Sequence, residues 1–105
     1  MIKEFLKSLD DDDNERMRVR LTIKKGELTD IVFQYESLIE KKWTPIVRYD
    51  MAHNFFHRDV LKPNGEKEKT VIEITGLQEA SIFAEQDIKD KWEFYKQRYL
   101  KSIKK

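Results

Sequence analysis

The chain has 105 residues, 21 Lys plus Arg against 20 Asp plus Glu, and no cysteine. That length supports one core of modest size, so a single domain is expected, and a net charge of +1 argues against a strongly cationic nucleic-acid coat. Disulfides, thiolate zinc sites and a thiol nucleophile are excluded, and no apolar run approaches the roughly 20 residues of a membrane span, so the expectation is a cytoplasmic protein with no membrane partner.

The opening residues place Ile2, Phe5, Leu6 and Leu9 at i, i+3, i+4, i+7, which predicts a short amphipathic helix. It should stop near Leu9, because the aspartates Asp10 to Asp13 would sit badly at the negative end of a helix dipole; residues 1–14 thus read as a helix and an acidic loop. From Arg16 the period changes to two. Met17, Val19, Leu21 and Ile23 alternate with Arg16, Arg18, Arg20 and Thr22, as in a strand with one buried face and an arginine-rich outer one. Lys25-Gly26 is a turn, residues 28–39 return as a second strand, and 43–49 follow after the polar break Glu40-Lys41-Lys42. Residues 55–62 and 70–75 read as two more strands around Pro63-Asn64-Gly65, the strongest turn signal in the chain.

Residues 76–105 predict a long C-terminal helix, with Thr75 and Gln78 in capping-box spacing and Ala84, Ile88, Trp92, Tyr95, Tyr99 and Ile103 at intervals of three or four. Short turns between the strands exclude parallel crossovers. The predicted fold is therefore α+β: a short N-terminal helix, an antiparallel meander of about 4–5 strands within residues 15–75, and the C-terminal helix packed on one sheet face.

Candidate chemistry concentrates in residues 48–59, which hold both histidines of the chain. If the stretch is extended, His53, His57 and Asp59 share one side, and Asp50 or Arg48 can join them from the preceding strand. Two imidazoles beside arginines suit metal-free RNA cleavage. His53 and His57 would act as base and acid, Asp50 or Asp59 would orient an imidazole, and Arg48 and Arg58 would bind phosphate and stabilise charge on phosphorus. The same histidines with Asp59 and Asp50 could instead ligate a divalent transition metal, although the spacing matches no named metal motif. A third reading is structural, with the acids and bases satisfying one another beside a bend. The ridge Arg16, Arg18, Arg20 could track a phosphate backbone or simply protect a solvent-facing strand. Gly26, Gly65 and Gly76 form no phosphate loop, so no nucleotide cofactor is expected.

The run from Trp43 through Arg48-Tyr49-Asp50 to His53, followed by Phe56-His57-Arg58-Asp59 and the Pro63-Asn64-Gly65 turn, resembles an uncharacterised family of small prokaryotic proteins. More remotely, the Arg-Tyr-Asp strand end followed by histidines and a closing helix is similar to TumE-type toxins of toxin–antitoxin modules. That resemblance implies action on RNA and an antitoxin-like protein partner, and carries over onto Arg48, Tyr49, Asp50, His53 and His57; the denser histidine run of those toxins is lacking here. The alternative is a non-enzymatic adaptor domain that pairs with a partner or a second copy through a sheet edge.

Overall fold

The structure is a computed structural model and describes residues 1–51 and 54–103. Six strands, β1 (Ile2–Ser8), β2 (Glu15–Lys24), β3 (Glu27–Ile39), β4 (Lys42–Asp50), β5 (His57–Leu61) and β6 (Lys67–Val71), form one antiparallel sheet in sequence order. One helix, α1 (Leu77–Ile103), lies across β3 and β4 on one face of that sheet. The α+β class, the meander and the C-terminal helix are as the patterning predicts. No described helix is long and apolar enough to cross a membrane.

The N-terminal segment is a correction. Ile2–Ser8 is a strand paired with β2 in register Phe5 opposite Val19, which makes six strands in place of four or five. Its apolar spacing fits a helix, but two isolated turns are marginal in water, whereas the free edge of β2 offers a hydrogen bond to every second residue. All seven residues remain exposed, so edge pairing and not burial decides the conformation. The loop after it is closed locally: Asp10 Oδ1 accepts the backbone N–H groups of Asn14 and Glu15, each at 3.2 Å.

Turn chemistry fixes the remaining registers. Lys25 and Gly26 have φ of 51° and 78°, and Glu40 and Lys41 of 49° and 66°. Both hairpins are therefore two-residue loops with left-handed residues, whose twist matches that of the strands. The Lys62–Glu66 turn sets Leu61 opposite Lys67, so the last strand is Lys67–Val71 and not the β-branched stretch 70–75. The helix cap also moves by one residue: α1 begins at Leu77, and the Glu79 carboxylate folds back over Gly76, where a Cβ would lie 1.5 Å from Oε2. An acid in the first turn satisfies the helix dipole there, in place of the Thr75 and Gln78 pair.

The core lies between helix and sheet. Met17, Val19, Ile31, Phe33, Tyr35, Val47 and Tyr49 meet Ala80, Ala84, Ile88 and Tyr95 of the helix. The two alanines allow close approach of α1, and Phe83 caps the stacked pair Tyr49 and Phe56 edge-on at 6.0 and 6.1 Å. Among the described residues, no helix or strand packs across the opposite sheet face.

Candidate functional site

Strand alternation sorts the segment from Arg48 to Asp59 between the two faces. Asp50 is paired with His57, Arg48 with Asp59 and Tyr49 with Arg58, and cross-strand partners share a face. Arg48, Asp50, His57 and Asp59 therefore meet on the open face, as expected from the sequence, while Tyr49 and Arg58 point under the helix. Of the predicted phosphate ligands, Arg48 stands at the cluster and Arg58 is on the other side of the sheet. His53 lies outside the described residues.

On the open face the geometry is tight. His57 Nε2 is 2.8 Å from Asp50 Oδ1 and 3.7 Å from Asp59 Oδ2, and its Nδ1 is 3.3 Å from the carbonyl of Phe55. Arg48 Nε donates to Asp50 Oδ2 at 3.1 Å and its Nη1 to Gln34 Oε1 at 3.4 Å; Lys67 Nζ stands 3.8 Å from Asp59 Oδ2. His57 and Asp59 are buried, 4% and 3% exposed. Both ring nitrogens of His57 thus have protein neighbours, which ties the ring in place between the ends of two strands.

The cluster continues into a wider lattice. Glu36, buried at the centre of β3, accepts from Arg16 Nε at 2.7 Å, Arg18 Nε at 3.0 Å and Gln34 Nε2 at 2.6 Å. Burial by itself would raise its carboxyl, but these donors outweigh it and hold it below the ordinary carboxylate range. Arg16 also stacks on the ring of Trp43, 3.8 Å from its centroid. The vertical order matters most here. The carboxylates of Glu36 and Asp59 are only 6% and 5% exposed, whereas Arg18, Arg48, Arg20 and Lys67 are 44 to 56% exposed. Acids form the base and cations the outer layer, with Glu4 and Asp30 as exposed acids beside them. Two shallow hollows meet at Val32 and Arg48: one is lined by Arg18, Arg20 and Gln34, the other by Asp30, Asp50 and Asn54.

Under the helix the polar groups are different. Asp87 Oδ2 accepts from the hydroxyls of Tyr49 and Tyr95, each at 2.5 Å, and Arg58 Nη1 donates to Tyr49 Oη at 3.3 Å. Glu15 accepts from Tyr35 Oη at 2.6 Å and from Lys96 Nζ at 2.5 Å. Burial, reinforced by the carboxylate each one faces, pushes these hydroxyls above the ordinary tyrosine range, Tyr95 to about 12. Sequence reasoning passed over these groups, although a signal exists: Glu15 extends the buried alternation of Met17 and Val19, and Asp87 interrupts the apolar stripe between Ala84 and Ile88. A charge at a core position requires a buried partner.

Comparison of the chain with curated proteins and with solved structures finds no match in either. The profile of one family, described as a domain of unknown function, matches residues 1–105. Because that match spans the whole chain, the protein belongs to the DUF7718 family.

Proposed function

We propose that this is an RNA-directed domain that binds the backbone of a single strand across its open sheet face. The observation that carries the reading is the layering of that face: the exposed guanidinium groups of Arg18, Arg20 and Arg48, with one exposed acid, Glu4, beside Arg20, line one hollow above buried carboxylates. Phosphates approaching from solvent meet the cations first, while Glu36 and Asp50 hold two of those guanidinium groups in position from beneath. The hollow leads at Arg48 to the His57 cluster, where the resemblance to TumE-type toxins puts RNA chemistry. Binding has the broader support. Acid–base exchange between His57 and a ribose hydroxyl requires Asp50 to release Nε2.

Fluorescence anisotropy with a labelled single-stranded RNA tests the reading. Affinity should fall with salt, and Arg18→Ala and Arg48→Ala should each lower the log–log slope by about 0.7. No binding at low salt, or a slope that the double variant leaves unchanged, overturns it. Incubation of the bound RNA with wild type and His57→Ala then reads cleavage separately.

One observation favours the adaptor reading. β1 is an open edge carrying exposed Ile2, Phe5 and Leu6, and a second copy could add to it antiparallel. Pairing centred on Leu6 sets Phe5 opposite Lys7 and Glu4 opposite Ser8, whereas centring on Glu4 or Phe5 opposes like charges. Light scattering of wild type and Leu6→Lys tests it: a dimer that the lysine converts to a monomer supports this reading, and a wild-type monomer removes it.

A further inference from the structure

We infer that Asp50, His57 and Asp59 form a binding site for one divalent transition metal ion. One ligand atom from each lies within 4.8 Å of the other two. Ligands about 2.1 Å from a common ion stand roughly 3 to 3.5 Å apart, so the 2.8 Å and 3.7 Å separations from His57 Nε2 to the two carboxylates bracket the need. An independent observation points the same way. Among the described residues Asp59 Oδ1 is fully buried and has no hydrogen-bond partner, and its sister oxygen meets His57 and Lys67, at 3.7 and 3.8 Å. A carboxylate in that position lacks the donors that buried anions ordinarily have.

The imidazole is oriented for the role. With a metal ion in place of the Nε2 proton, Nδ1 would donate to the Phe55 carbonyl, 3.3 Å away, the tautomer that metal-bound histidines take when a carbonyl holds the other nitrogen. Two carboxylates and an imidazole nitrogen converging on one point call for a cation at that point. Of the charges nearest it, Arg48 stands at the outer oxygen of Asp50, and Lys67 stands 3.8 Å from Asp59 Oδ2, where a metal ion would displace it. One nitrogen and two oxygen donors favour Mn²⁺, Co²⁺ or Zn²⁺ over softer ions, and three protein ligands leave coordination positions for water or a phosphate oxygen. The inference rests on this cluster and is independent of the RNA reading.

The test uses the metals alone with the 105-residue chain. Zn²⁺ at a hundredfold excess over its Kd should raise the wild-type Tm by on the order of 10 °C, reversibly with a chelator. The near-isosteric Asp59→Asn should fold, by circular dichroism, and lose that rise. Mn²⁺ should broaden the His57 ring resonances of the wild type, a reading that needs no variant. No rise in wild type, an equal rise in Asp59→Asn, or broadening centred on the Asp10–Asp13 loop in place of His57 would each overturn the site.

Discussion

The two faces of the sheet solve one problem in two ways. Each buries carboxylates: Glu15 and Asp87 under the helix, Glu36 and Asp59 on the open side. Under the helix the donors are mainly tyrosine hydroxyls, neutral and rigid, with Lys96, Lys91 and Arg58 at the margins. Burial and the facing acid keep those hydroxyls protonated, so Tyr49 to Asp87, together with Lys96 to Glu15, fastens α1 at one position along the sheet. On the open face Glu36 takes its charged donors from the guanidinium groups of Arg16 and Arg18, whose remaining N–H groups can stay in water, while Asp59 stands beside His57 and Lys67. The lesson is that a covered carboxylate sets packing, while an uncovered one sets where cations stand and leaves them available.

Removing Asp87 should break the comparison most severely. Asp87→Ala leaves the buried hydroxyls of Tyr49 and Tyr95 without their acceptor, and a loss of about 4 kcal/mol is expected from chemical denaturation. Tyr49→Phe deletes one hydroxyl from the same network and should cost about 1 to 2 kcal/mol. On the open face, Glu36→Gln should cost about 1 kcal/mol, because its arginines can turn to water. If the RNA reading holds, the same change should tighten binding severalfold, since it removes an anion from beneath the cations.

Acid sharpens the contrast further. The folded Glu36 carboxyl lies below its unfolded value of 4.5, so its contribution is complete above that value and is lost as pH falls through the folded pKa. The stability difference between wild type and Glu36→Gln should therefore shrink on acidification. Arg20→Ala, which removes an exposed ion pair with half-exposed Glu4 at 3.5 Å, should move stability by less than about 0.5 kcal/mol. These are measured as urea midpoints across pH; equal losses for Asp87→Ala and Glu36→Gln would erase the distinction between the faces.

Period-two alternation made β2 to β4 legible, and the long stripe from Ala84 to Tyr99 made α1 legible, because each pattern reflects one buried face. The alternation also anticipated that His57, Asp59, Asp50 and Arg48 would share a side. β1 was not legible: its spacing satisfies a helix, and nothing local states that β2 has a free edge. The position of Arg58 follows from the same alternation as that of His57, yet proximity in the chain invited grouping it with Arg48. Asp87 and Glu15 were hidden because their partners, Tyr49 and Tyr35, are 38 and 20 residues distant.

β1 is hydrogen-bonded to its neighbour β2 and tied to α1 by the exposed Lys7–Glu85 ion pair, and its exposed residues contribute nothing to the interior. Fraying of the first eight residues therefore leaves five strands and the helix intact, and the amides of Ile2–Ser8 should exchange with solvent long before those of β3. If the self-pairing reading holds, the same looseness would let one molecule lend its leading strand to the vacated β2 of another, an exchange of identical parts.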